Sequence, residues 1–460
     1  MTSHSDIDTL LATLHPHVFK GLFDDKLFSP KSLQPSDDTP DFRKLVQAFA
    51  TLFSFHPGCD AAAVTAQTSQ SGNTPLHICL SPSTPHGFND NANRWFAQFM
   101  ALRKEPNLKS TGDLKSTDDL KSTGDRRRID MLSHSERVFV LQIYSLCYPA
   151  MRQRIINEGL GFWNFFANAH KPVTDVPALT PTEEEKQLRE KYAEGLQELS
   201  TSVDDFIAFI SHTPSTDDDM LQFHQSCLSI RNIMESDGHG VWRFLDEYVF
   251  PGGGADRAVE YLCLPIELST LLDLSRRPSL ALDGNLSLDV LDPSTGARKF
   301  SAVVMNTHLA ERFEDMPGMK WEDVMCAFEK SAARPNGYGM GYKWNTDKNI
   351  LSTAKPVTVH PEITLIQHLL ENGDGNAEAY IACSRTPCYA SALYAVAVNQ
   401  TLQTRFTMRV DNPDWCRLYT AEAWVLPKDT EPEVMATMKK ALLQDLRKLV
   451  YKWVQERRGV

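Results

Sequence analysis

The sequence lacks any apolar run near the roughly 20 residues that a bilayer-spanning helix needs, so no membrane span is expected. It also lacks a disulfide framework. Nine cysteines are scattered at positions 59, 79, 147, 227, 263, 326, 383, 388 and 416 of 460 residues, a usage that fits a reducing, intracellular compartment, cytoplasmic or nuclear. The first residues, MTSHSDIDTLLATLHPHVF, have neither a basic leader nor an unbroken apolar core, so no secretory signal is expected. The Asn-x-Ser/Thr matches at Asn285 and Asn399 are then expected to stay unmodified. Basic charge is short as well. With 47 Lys and Arg against 59 Asp and Glu, a net charge of −12 argues against tight duplex nucleic-acid binding by the whole molecule. A local basic groove, or a free base or nucleoside as substrate, stays compatible with it.

What is present divides on composition. A chain of this length is expected to form two or three domains. Residues 5 to 55 read as helix, with Leu45, Phe49, Leu52 and Phe53 on one stripe. The next stretch, containing GNTPLHICL, reads as turn-rich. Its Thr74-Pro75-Leu76-His77 resembles an ankyrin signature, but no second copy stands about 33 residues away, and such units need stacked neighbours. Residues 108 to 125 repeat LKSTGD, LKSTDD, LKSTGD, which predicts a disordered loop spanning about 106–128. Arg126-Arg127-Arg128 after it reads as a solvated helix start or a nuclear-import signal. Residues 132–170 and 183–235 carry helical periodicity. The glycines of PGGGADRAVEYL precede a helix without a following Gly-Lys-Ser/Thr, so they are no phosphate loop. Residues 1–280 are therefore expected to be mostly helical. From 285 to 460 strand-like runs (NLSLDVL, KFSAVVMN, EAYIACS, TRFTMRV, AEAWVL) alternate with helical ones, which predicts an α/β domain with a mixed sheet and a long C-terminal helix.

Within that second region, His360-Pro361-Glu362 and Pro387-Cys388 stand at the starts of two expected helices flanking the strand EAYIAC. Pro361 suits a first helical turn, where a missing N–H costs nothing, and Thr386-Pro387 is expected to supply the cap and first-turn proline of the next helix. A second His-x-Glu, HSE at 134–136, has no Pro-Cys partner and reads as ordinary helix. The chemistry favours first turns. A helix N-terminus stabilises a thiolate. An imidazole and thiolates can hold zinc while leaving one position for a water that ionises near neutral pH. His-x-Glu followed by Pro-Cys-x-x-Cys is the signature of zinc deaminases acting on nucleobases; here the second cysteine position, 391, is a serine.

The segments VHPEITLIQHLLEN, YIACSRTPCYAS and RLYTAEAWVLP, in this order, resemble the cytidine-deaminase-like superfamily, and within it the fungal nucleic acid/nucleotide deaminase-like family. The likeness covers about 70 residues directly, 359 to 427. It implies His360 and Cys388 as zinc ligands, Ser391 at a degenerate ligand position, and Glu362 as the catalytic shuttle that carries a proton from water to leaving ammonia. A missing thiolate should weaken a site whose four-ligand form binds with about 10–16 kcal/mol. Cys383, on the strand, is not expected to replace it; Cys416 can do so only if its loop folds over the site.

Blander readings stand beside this. His360 can cap a helix, Glu362 can complement its dipole, and Cys388 can be a small buried residue. Tyr389, Trp415 and Tyr419 can stack a base or fill a core. Two functions follow: a zinc-dependent deaminase of a nucleobase, nucleoside or single-stranded nucleic acid, or an inactive deaminase fold kept as a binding or scaffold module. The last helix, expected from a Thr430/Glu433 capping box, carries Val434, Met438, Leu442, Leu446, Leu449 and Trp453 on one face. Residues 431–460 hold seven basic and four acidic side chains, which reads as a nucleic-acid groove wall or as a core helix with a basic end.

Overall fold

A computed structural model of the chain describes residues 7, 10, 33, 41–66, 74–105, 132–168, 182–212, 214, 216–235, 241, 244–249, 258, 261–277, 286–292, 301–303, 342–345, 350–353, 357–372, 379–385, 387–408 and 424–458. The hexapeptide repeat, the arginine triplet, the triple glycine, Trp415, Cys416 and Tyr419 lie outside them. Helix α1 (Asp41–Ser54) is followed by strands β1 (Ala61–Ala66) and β2 (Thr74–Ser81). The α-helices described next are α2 (Phe88–Lys104), α3 (His134–Arg154), α4 (Leu160–Phe166), α5 (Glu183–Lys191), α6 (Ala193–Ser211), α7 (Asp217–Glu235) and α8 (Cys263–Ser275). Then follow β3 (Leu286–Leu291), β4 (Ser301–Val303), β5 (Tyr342–Asn345), β6 (Ile350–Thr353), α9 (Pro361–Glu371), β7 (Tyr380–Cys383), α10 (Tyr389–Leu402), β8 (Thr407–Met408) and α11 (Pro432–Arg458). The class is α+β: the described residues are mostly helical, with a mixed five-stranded sheet and an antiparallel three-stranded one ordered β4-β6-β5.

The chain divides at 281/282, beside the boundary expected near residue 280, but it also divides between 54 and 58 and at 86/87. One compact unit gathers 1–54, 58–86 and 282–460; the other gathers 55–57 and 87–281. The reason is strand pairing. The sheet runs β3-β2-β1-β7-β8, so the hairpin at 61–81, which the sequence reading took as turn-rich, forms its centre. β1 is antiparallel to both β2 and β7, while β2–β3 and β7–β8 are parallel. AEAWVL also differs: Trp424–Leu426 are buried, irregular backbone.

Both faces of this sheet are covered. Ala63, Cys79, Ile381 and Cys383 join one buried cluster with residues of α9, α10 and α11, including Ile363, Ile366, Leu393, Met438 and Leu442. Strand periodicity sends Ala62, Val64, Ile78 and Leu80 to the opposite face, and α1 packs on β1 and β7. Its Gln47 amide donates to the Cys383 carbonyl at 2.7 Å. Helix α11 starts at Pro432, but Thr430 donates its hydroxyl to the Pro427 carbonyl at 2.9 Å, and the Met435 N–H reaches Glu431. The capping box expected of Thr430 is replaced by this turn. Val434, Met438, Leu442 and Leu446 are buried as their spacing demands.

The regular elements of the other unit, among the described residues, are all helices. There Glu136, the glutamate of the second His-x-Glu, forms a capping box with Ser133 and pairs with Arg276. Its carboxylate is structural. No helix among the described residues is long and apolar enough to cross a membrane.

Candidate metal centre

Two helix starts build the site. His360 is the N-cap of α9, extended at φ −62° and ψ 144°, with Pro361 at the first helical position. Its carbonyl accepts from Ile363 and Thr364 N–H at 3.0 and 3.1 Å, so the backbone, not the imidazole, starts the helix and the ring is left to face inward. Across β7, Cys388 is the N-cap of α10, where Thr386-Pro387 was expected to serve. Its extended backbone (φ −69°, ψ 163°) lets Sγ accept the Ser391 N–H at 3.4 Å. The sulfur thus sits at the positive end of a helix, where negative charge is favoured. β7 itself is anchored to β1 by Ser384, whose N–H donates to the Ala62 carbonyl at 2.9 Å and whose hydroxyl accepts from Ala62 N–H at 2.9 Å.

The four residues picked from sequence come together. His360 Nδ1 lies 3.5 Å from Cys388 Sγ, 3.2 Å from Ser391 Oγ and 3.4 Å from Glu362 Oε1; Cys388 Sγ lies 3.3 Å from Ser391 Oγ. Four ligands around an ion at bond lengths of 2.0–2.3 Å are separated by tetrahedral edges of about 3.3–3.8 Å. The three spacings among His360, Cys388 and Ser391 match those edges closely. Donor chemistry separates the three positions. The imidazole and the thiol are strong zinc donors, the hydroxyl of Ser391 is a poor one, and the Glu362 carboxylate falls with His360 and Cys388 in a group whose ligand atoms all lie within 4.8 Å of one another. The residues fit an ion of zinc's size through His360 and Cys388, with position 391 the weak point.

Electrostatics follow from burial. Burial alone would lower the His360 pKa, but the sulfur of Cys388 and the Glu362 carboxylate outweigh it and hold the imidazole well above its usual value. Burial would raise Glu362, yet hydrogen bonding and charge from His360, with a bond from Ser391, keep it below the usual carboxylate value. The two shifts favour an imidazolium–carboxylate pair, and a cation bound to that imidazole would have to replace its proton. Cys79, buried below Glu362, is pushed up to about 12 by desolvation and supplies no competing thiolate. Cys383 donates its thiol to its own strand at Ile381 O, 3.7 Å away.

The sequence reading did not single out Trp424. Its indole N–H donates to Ser391 Oγ at 3.2 Å. The tryptophan belongs to the closing segment AEAWVLP, so position was legible and role was not. Tyr389, weighed as a base-stacking residue, is buried and donates its hydroxyl to Asp445 at 2.7 Å; it links α10 to α11. The chain matches no protein-family model, no curated protein and no solved structure.

Proposed function

We propose that the unit containing 58–86 and 282–460 is a deaminase-like zinc hydrolase that removes ammonia from a cytosine-like or adenine-like base, free, in a nucleoside or in a single-stranded nucleic acid. The reaction exchanges the ring's exocyclic amine for a carbonyl oxygen taken from water. The observation that carries the reading is the convergence of His360 Nδ1, Cys388 Sγ and Ser391 Oγ at tetrahedral spacing beside a buried carboxylate. A bound zinc would supply the Lewis acidity that ionises water near neutral pH. His360 and Cys388 would hold it. Glu362, 3.4 Å from His360 Nδ1, takes a proton from water and returns it to the departing amine. His360, the cap of α9, and Ser391 of α10 favour the ionised form of that carboxylate.

Ser391 favours a second reading, an inactive deaminase fold kept for binding or scaffolding. Its side chain is fully buried and its oxygen already accepts the Trp424 indole, so a cation gains little from it. Glu362 can then take over as third ligand, and a carboxylate held by the ion no longer shuttles protons. Zinc analysis with an ammonia-release assay on cytosine- and adenine-bearing nucleosides separates the two. The enzyme reading expects about one zinc dependent on His360, and ammonia release lost in Glu362→Gln with zinc retained. Zinc without ammonia release on any such substrate supports the binding module. Folded protein without zinc at this centre removes the hydrolase reading.

A further inference from the structure

A second group of metal-ligating side chains lies in the same unit, at the other end of α9. His77 of β2 and Asp289 of β3 are direct partners in the parallel register, so their side chains share a face. Period two places His77 on the face of Cys79, which belongs to the core cluster that α9 helps build. His368, in the last turn of α9, comes down on the pair. Asp289 Oδ2 lies 2.9 Å from His77 Nδ1 and 3.8 Å from His368 Nε2, and the two imidazole rings are 4.7 Å apart between centroids. All three ligand atoms lie within 4.8 Å of one another.

We propose that His77, Asp289 and His368 form a binding site for a divalent first-row transition ion, independent of the chemistry at His360. Two imidazoles and one carboxylate from three elements are a donor set such ions select, and three protein ligands leave positions for water. Exposure is graded in the way a site with an entrance requires. The His77 side chain is 9% exposed, that of His368 24% and that of Asp289 49%. Rotation of the two more open side chains brings the set to the edges of about 3.3–3.6 Å that N and O ligands need around a tetrahedral ion. The exposed Asn372 amide, 3.2 Å from His368 Nε2 and also bonded to the His368 carbonyl, turns aside when the ion enters. The bound ion ties strands β2 and β3 to the C-terminal turn of the helix whose first turn carries Glu362.

Cobalt(II) titration of the metal-free full-length protein tests this. This group contains no sulfur, whereas a site with Cys388 does, so thiolate-to-cobalt charge transfer marks only the latter. The parent should bind Co²⁺ in a class showing visible d–d bands without thiolate charge transfer. Asp289→Asn, nearly isosteric and half-exposed, should weaken that class at least tenfold, and His368→Gln should do the same. Circular dichroism confirms that both variants fold. Zn²⁺ should displace the cobalt. Unchanged affinity and stoichiometry in both folded variants would overturn the proposal, as would a parent with no sulfur-free class. Sulfur-free binding lost in Asp289→Asn but intact in His360→Ala, with no charge-transfer band in the parent, would uphold this site while removing the proposed function.

Discussion

Ser391 decides more than any other single residue. It stands on the same turn as Cys388, with its oxygen 3.3 Å from that sulfur, so a cysteine there would offer a second thiolate at the same spacing. The Trp424 indole would donate to that thiolate as it now does to the hydroxyl. Ser391→Cys is therefore expected to raise zinc affinity by orders of magnitude, read by competition with a chromophoric chelator. Unchanged affinity would place position 391 outside the coordination sphere. A second residue makes a pH prediction in the helical unit. His224 is fully buried, its ring 2.8 Å from the Tyr144 hydroxyl, and desolvation lowers its pKa from 6.5 to about 4. The unfolded chain then binds the extra proton first, so stability is present above pH 6.5 and is lost as pH falls from about 6.5 to about 4. The loss corresponds to roughly 3 kcal/mol. Denaturant titrations at pH 7 and pH 4.5 should show the helical unit weakening on acidification. The same titrations on His224→Gln should show that part of the slope missing; an identical slope would contradict the assignment. That His360 and Cys388 would meet was legible because each caps a helix flanking one strand and Pro361 opens the first of them, where the local rules of caps and dipoles apply. Trp424 was not, since nothing local says what an indole in an irregular segment will reach.

Among elements, the helices were read more securely than the strands. The stripes of α1 and α11 repeat at helical spacing, and the structure buries Leu45, Phe49, Leu52 and Phe53 in the first and Val434, Met438, Leu442 and Leu446 in the second. AAAVTA and TPLHICLS show no such period because the sheet is covered on both faces, which removes the alternation that marks a half-exposed strand. The pairing of AAAVTA with Tyr380–Cys383 bridges more than 300 positions, as in Ala63 opposite Cys383. The helical unit offers an element-scale test. Helix α3 runs on into a π-helical turn, Ile155–Gly159, and a Cβ on Gly159 would stand 2.9 Å from the ring of Tyr261. The ring is 8% exposed and hemmed in by Phe162 and Trp163, so it has little room to yield. Gly159→Ala should lose about 1–3 kcal/mol in urea unfolding, partly recovered by Tyr261→Leu. A neutral Gly159→Ala would mean the turn re-forms without the clash.

At the scale of the molecule, the two units interleave in sequence, because the hairpin at 61–81 leaves its helical neighbours to complete a sheet with residues beyond 282. A composition change near 280 is real, yet it marks the return of the chain and not the start of a domain. The basic side chains of α11 bear on the proposed substrate. Lys448 pairs with Asp445 at 3.1 Å and Lys440 is exposed. If the substrate is a polymer, replacing Lys439, Lys440 and Lys448 by glutamine should leave folding intact, weaken single-stranded nucleic-acid binding and flatten its salt dependence. No binding by the parent at low salt would end the groove reading and leave a small-molecule substrate or no substrate at all. Beneath these questions lies one claim, that His360 and Cys388 share a metal ion, and zinc-edge X-ray absorption of the zinc-loaded protein addresses it most directly. The account predicts a sulfur scatterer at about 2.3 Å with nitrogen or oxygen at about 2.0–2.2 Å, the sulfur vanishing in Cys388→Ala; a zinc shell of nitrogen and oxygen alone in the parent would contradict it.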